Sequence, residues 1–121
     1  MTKRILVVED QEDNRQILRD LLGSIDVEMI EAHDGEAAVA QATKHKPDLI
    51  LMDIQLPVMD GYEATRRIKA NAELKAIPII VVTSYALSGD EAKARAAGCD
   101  AYVTKPYSPR QLLAKINEYL K

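Results

Sequence analysis

Residues 49–61 read Leu49-Ile50-Leu51-Met52-Asp53-Ile54-Gln55-Leu56-Pro57-Val58-Met59-Asp60-Gly61. The first four are apolar without a break, which is how a strand covered on both faces reads, as in a parallel sheet layered between helices. An acid closes the run, and the stretch Gly61–Ala70 then reads as a helix that turns Tyr62, Ala64 and Ile68 inward. Strand, acid, loop and helix in this order form one unit of an alternating β–α chain. Working outward, β-rich runs recur at residues 5–8, 27–31, Ile79–Thr83 and Ala101–Thr104, most of them continuous rather than alternating.

The segments between the runs carry helical patterns. Ile17, Leu18, Leu21 and Leu22 predict one apolar stripe, closed by Gly23. Gly35–His45 reads as an alanine-rich helix. Leu112, Leu113, Ile116, Tyr119 and Leu120 predict a last helix, opened by Ser108 as N-cap and Pro109 at the first helical position. A fourth helix, over residues 88–97, has only alanines at 92, 94, 96 and 97 as apolar residues. Two readings of it stay open: a weakly held, movable element, or a short helix packed through small side chains. Five alternations of β and α predict a doubly wound α/β fold with right-handed crossovers.

Composition bounds the function. The chain has 121 residues, a one-domain length, with 29% charged and 47% apolar residues, which fits neither a disordered nor a membrane protein. Sixteen basic against nineteen acidic residues leave −3, so bulk charge does not favour nucleic acid or anionic lipid. The single Cys99 cannot form an internal disulfide, which points to a reducing compartment; beside Gly98 it reads as a small buried hydrophobe. The longest apolar run is far short of the ~18 residues of a membrane span, and no signal peptide is visible. The expectation is a cytoplasmic single domain.

In an open α/β sheet, function sits beyond the carboxyl ends of the strands, at the switch in strand order. The first strand ends in Glu9-Asp10, the third in Asp53, the fourth in Thr83-Ser84, and the fifth leads to Lys105-Pro106. Three carboxylates, a hydroxyl and an amine therefore converge on one edge. Each has an ordinary reading by itself: Asp10 as a helix cap, Asp53 as a loop acid, Lys105 as a surface lysine, Thr83 as a β-branched strand residue. Their joint placement argues against those readings. Clustered carboxylates repel, which raises a pKa or demands a cation, and oxygen ligands favour Mg²⁺ over zinc. A lysine beside them offsets their charge or binds an anion such as a phosphoryl group, to which a threonine hydroxyl can donate. These are the parts that phosphoryl transfer to an aspartate requires.

The motifs Ile5-Leu6-Val7-Val8-Glu9-Asp10, Leu51 through Gly61, Val82-Thr83-Ser84 and Tyr102-Val103-Thr104-Lys105-Pro106 resemble, in order and spacing, the receiver domain of two-component response regulators. The likeness covers essentially the whole chain, 1–121, as a single receiver domain. Among receivers it is similar to stand-alone, cell-cycle and polar-differentiation regulators of bacteria. The resemblance implies a five-stranded parallel sheet of order 2-1-3-4-5 flanked by five helices. It implies Asp53 as the acceptor of a phosphoryl group from a phosphohistidine. It implies Mg²⁺ held by Glu9, Asp10, Asp53 and the backbone carbonyl of Gln55, and Lys105 as a charge stabiliser. Thr83 and Tyr102 match the switch pair that passes the signal to the face of the fourth helix, fifth strand and fifth helix. The Lys105-Pro106 bond is cis in the family. A histidine kinase or histidine phosphotransfer protein and a downstream protein target are the implied partners, with the chain a monomer or weak dimer.

Glu9 stands where aspartate is commoner in that family. Tyr85, two residues past the switch threonine, has two open readings: a bulky shield of an acyl phosphate from water, or a loop tyrosine packed on the surface. Only 15 residues follow Pro106, too few for a DNA-binding output domain, so output is expected through protein contact. The run 10–14 resembles a calcium loop but has Arg15 and Leu21 where glycine and glutamate are needed. His33 and His45 lack partners at metal-ligand spacing and read as solvated. An aspartyl-intermediate phosphatase would carry an acid–base aspartate where Gln55 stands. A pseudo-receiver, a binding module without phosphorylation, would not need the acidic pair, Asp53, Thr83 and Lys105 together. If the acids converge, Mg²⁺ raises the melting temperature, and Asp10→Asn relieves repulsion without metal.

Overall fold

The computed structural model describes residues 2–84 and 89–120. Strands and helices alternate: β1 (Lys3–Val8), α1 (Glu12–Leu22), β2 (Val27–Ala32), α2 (Gly35–His45), β3 (Leu49–Met52), α3 (Gly61–Ala70), β4 (Ile79–Thr83), α4 (Asp90–Ala97), β5 (Ala101–Thr104) and α5 (Pro109–Leu120). The five strands form one parallel sheet of order β2-β1-β3-β4-β5. The order reverses at β1, which pairs with β2 on one side and β3 on the other, so a crevice opens between the carboxyl ends of β1 and β3.

Why the apolar runs are unbroken is visible in the core. Leu6, Val8, Ile50, Met52, Ile79 and Val81 face one layer, while Ile5, Val7, Leu49, Leu51, Ile80 and Val82 face the other. Successive side chains leave a strand on opposite faces, and both faces are covered here. The first layer is closed by α2 and α3 with Ala38, Ala42, Ala64 and Ile68, the second by α1 and α5 with Leu18, Leu22, Leu112 and Ile116. Full burial of each large aliphatic side chain contributes roughly 1.5–3 kcal/mol before its ordering cost. Cys99 is buried in the first layer, as its neighbours suggested.

Strand ends differ slightly from the sequence reading. β1 begins at Lys3, two residues early, and β2 runs on to Ala32, because backbone pairing with a neighbour extends past the apolar residues. α4 is described from Asp90; the predicted start at Ser88 lies outside the described residues. Its thin apolar anchorage is real, since Ala94 and Ala97 are its buried apolar residues. Ile17 corrects the predicted stripe of α1: Leu18 and Leu22 are buried, but Ile17 is 54% exposed. At about 100° per residue, the side of α1 that carries Leu18 and Leu22 also carries residue 15, and Ile17 is turned away from it. His33 is exposed as expected, whereas His45, in the last turn of α2, is half-buried.

Two glycines set how closely helices approach the site. A Cβ on Gly61 would lie 2.0 Å from the backbone oxygen of Asp53, and one on Gly35 would lie 2.0 Å from that of Met59. The start of α3 thus packs directly on the peptide that follows β3, and the start of α2 packs on the loop beyond it. Asp34 and Asp60 cap these helices, accepting from the N–H groups of Ala37 and Glu63.

Candidate functional site at the carboxyl edge of the sheet

Register explains which side chains meet. Val8 lies beside Met52 in the β1–β3 ladder, and the Asp53 N–H donates to the Val8 carbonyl at 3.1 Å. Glu9 and Asp53 therefore leave adjacent strands at the same level. Glu9, Asp10 and Asp53 bring carboxylate oxygens to within 4.8 Å of one another. Asp10 does not cap α1: that position belongs to Gln11, which makes no side-chain cap bond. On the far side, Thr83 pairs with Thr104, and the Lys105 N–H donates to the Thr83 carbonyl at 2.8 Å. The Lys105-Pro106 peptide is cis.

Lys105 reaches across the crevice. Its Nζ donates to Glu9 Oε1 at 2.7 Å and lies 3.8 Å from Asp53 Oδ2. Burial raises the Asp53 carboxyl to about 6; Lys105 opposes this in part, and the charge of Glu9 adds to it. Asp10 is also raised, by desolvation first and then by its bond and charge relation to Glu9. For Glu9, burial works upward too, but the hydrogen bond and charge of Lys105, with the Gln11 N–H, hold it below its ordinary value. One ammonium thus serves three carboxylates, and two of them remain harder to ionise than usual. An additional positive charge would ease the ionisation of both.

The other predicted residues fall around this cluster. Thr83 is buried at the end of β4, and Tyr102 is half-buried on β5. Gln55 is exposed in the loop after β3, at the centre of a tight turn in which the Leu56 N–H donates to the Ile54 carbonyl at 3.0 Å. Asp53 Oδ1 accepts from the Ile54 N–H at 2.7 Å. Tyr85 lies outside the described residues. Among the described residues, Glu9, Asp10 and Asp53 form the group of metal-ligating side chains, and neither histidine belongs to it.

Three features escaped the sequence reading. Arg15 is buried and donates from Nη1 to the Glu9 carbonyl at 2.8 Å; a charged residue three positions before Leu18, on the inward side of α1, was its signal. Val58 is 76% exposed with φ of 70°, and the Met59 N–H donates to the Pro57 carbonyl at 2.7 Å around it, a γ-turn of the rare, strained hand. The exposed Ile17 lines a groove with Leu18, Pro106, Tyr107 and Pro109, which Lys105 also lines.

Residues 5–117 match the response regulator receiver domain family. The chain belongs to that family. The polar-differentiation response regulator DivK of Brucella ovis is 45% identical over 120 residues, covering 99% of this chain and 98% of its own length. The receiver domain of a sensor histidine kinase from Pseudomonas aeruginosa, crystallised with a magnesium ion in its active-site cleft, superposes with a TM-score of 0.92 at 36% identity, covering 99% of this chain and 98% of that one. A CheY-like receiver domain protein from Methanospirillum hungatei gives 0.92 at 32%, covering 99% and 94%. This receiver is thus a response regulator of two-component signalling, with DivK-type relatives. Receivers are signalling proteins rather than enzymes in the usual sense, and work with histidine kinases and downstream targets. Among the described residues no helix is long and apolar enough to cross a membrane.

Proposed function

We propose that this receiver is a stand-alone cytoplasmic response regulator that takes a phosphoryl group from a phosphohistidine onto Asp53 and reports it through the face of α4, β5 and α5. The observation that carries the proposal is the meeting of Glu9, Asp10 and Asp53 within 4.8 Å beside a single lysine. Three hard oxygen donors at incomplete charge compensation fit Mg²⁺, which Glu9, Asp10, Asp53 and the Gln55 carbonyl would hold. When bound, the ion offsets negative charge on the transferring group.

The remaining chemistry belongs to the chain. A carboxylate oxygen of Asp53 forms the bond to phosphorus, the P–N bond breaks, and the imidazole of the donor keeps the electron pair. Lys105, now divided between Glu9 and Asp53, faces the added charge, and the Thr83 hydroxyl donates to it. Tyr102 follows into the space that Thr83 leaves, which alters the surface next to α4. Hydrolysis of the acyl phosphate restores the Asp53 carboxylate and releases inorganic phosphate. The groove lined by Ile17, Leu18, Pro106 and Tyr107 seats the histidine-bearing donor protein, because it runs to Lys105 at the crevice. The likeness to a DivK-type regulator matched over 98% of its own length supports signalling in the manner of a lone receiver, through protein contact, as a monomer or weak dimer.

Intact-mass spectrometry after incubation with a small acyl-phosphate donor tests the proposal. One phosphoryl adduct is expected with Mg²⁺, none with chelator, and none in Asp53→Asn. An unmodified wild type under a phosphorylated histidine protein as well as the small donor leaves the pseudo-receiver reading in its place.

A further inference from the structure

Arg15 is a costly residue where it stands. It is 7% exposed on the inward side of α1, where an aliphatic side chain beside Leu18 and Leu22 would serve packing as well, and burying a guanidinium is unfavourable unless it is closely paired. Its contacts show what it holds. Nη1 donates to the Glu9 carbonyl at 2.8 Å, Nη2 donates to Glu12 Oε2 at 2.6 Å, and Nε lies 3.3 Å from Glu31 Oε1 without the alignment of a hydrogen bond.

The Glu9 carbonyl belongs to the peptide that joins Glu9 to Asp10, and a peptide plane is rigid. The peptides on either side are held separately, by the Glu9 N–H on the Ala32 carbonyl at 3.1 Å and by the Gln11 N–H on Glu9 Oε2 at 3.2 Å. Holding the carbonyl therefore sets the direction in which Asp10, itself exposed, leaves the strand toward Asp53. The leading influences on the ionisation of Glu9, Asp10 and Asp53 are burial, Lys105, one another and nearby backbone N–H groups, so the grip of Arg15 acts through geometry.

We infer that Arg15 is a positioning residue for the cation site: by gripping the Glu9–Asp10 peptide from inside the fold it sets the acidic pair at metal-binding separation. This rests on the Mg²⁺ reading above and adds to it a residue outside the ligand set. Arg19 supplies a matched control, since it pairs with the same two acids, Glu12 at 2.7 Å and Glu31 at 2.7 and 2.8 Å, while the Glu9 carbonyl bond belongs to Arg15.

The test is a MgCl₂ titration of ¹⁵N-labelled protein, following amide shifts around Asp53 in wild type, Arg15→Lys, Arg15→Gln and Arg19→Gln, with the dispersion of each spectrum as the fold check. Arg15→Lys keeps the charge and loses the two-armed grip, so both Arg15 variants should bind Mg²⁺ about tenfold more weakly, the usual scale for a group that orients a metal ligand. Arg19→Gln should stay within about twofold of wild type. Unchanged affinity in folded Arg15→Lys, tighter binding in Arg15→Gln, or an equal loss in Arg19→Gln would each overturn the inference alone. A wild type with no Mg²⁺ response would overturn it together with the reading it rests on.

Discussion

Replacing Gly61 by alanine pits two effects of opposite sign against each other. Alanine favours a helix over glycine by up to ~1 kcal/mol, so propensity alone predicts a more stable protein. Geometry predicts the reverse. The added Cβ would sit 2.0 Å from the Asp53 backbone oxygen and 2.9 Å from both the Asp53 carbonyl carbon and Ile54 Cα, where ordinary contact begins at about 3.4 Å. The start of α3 must retreat by roughly 1.4 Å (3.4 − 2.0), against the Gly61 N–H bond to the Ile54 carbonyl at 2.9 Å. No flexible side chain can absorb this, so the cost lies at the upper end of overpacking, about 3 kcal/mol. Less the helix gain, about 2 kcal/mol remains, which lowers the melting temperature by about 8 °C at ~4 °C per kcal/mol. Gly35→Ala meets the Met59 oxygen at the same 2.0 Å and should lose similar stability. Gly61→Ala should in addition slow Asp53 phosphorylation relative to Gly35→Ala, because only it presses on the acceptor's own peptide. Differential scanning calorimetry with the acyl-phosphate reaction reads both. A melting temperature raised by Gly61→Ala would refute the reasoning outright.

Three other perturbations probe separate parts of the account. Asp53 holds its proton up to about pH 6 in the fold against a usual value of 3.8; between those values the folded state binds more protons than the unfolded one, so stability falls as pH rises through the window. In chelator, Asp53→Asn should therefore melt higher than wild type at about pH 7.5 and lose that advantage by about pH 4; equal melting at the higher pH would remove the argument. Ile17→Ala, at an exposed position of the groove, should weaken transfer from a phosphorylated histidine protein several-fold while leaving the small-donor rate unchanged, and a parallel loss in both assays would deny the docking role. Val58→Gly should raise stability by about 0.5–1 kcal/mol, since it relieves a positive φ that costs an L-residue ~1–2 kcal/mol and gives back part in chain entropy; a lower melting temperature would show the turn is unstrained.

The fold was readable where burial on both faces left its mark. The runs Leu49–Met52 and Ile79–Thr83 have no polar member until the site begins, and the unit from Asp53 to Gly61 supplied the strand–helix alternation. Strand order came through the resemblance, since apolar runs do not encode which neighbour a strand pairs with. Lys3 and Arg4 escaped because a strand's exposed beginning is defined by backbone bonds, not hydrophobicity. Ile17 misled because an exposed apolar residue is indistinguishable by pattern from a core one. The ionisable part of the site was readable at the strand ends; what positions it was not. Arg15 acts on a backbone carbonyl and Gly61 acts by lacking an atom, and neither leaves a motif of reactive residues.

Everything proposed for this receiver turns on Asp53 being the acceptor. Borohydride reduction of the phosphorylated protein converts an aspartyl phosphate to homoserine, and peptide mapping then places it. Homoserine is expected at position 53, formed with Mg²⁺ and absent with chelator. Homoserine at Asp10, a reduced glutamate at Glu9, or a phosphoryl group that resists borohydride would contradict it.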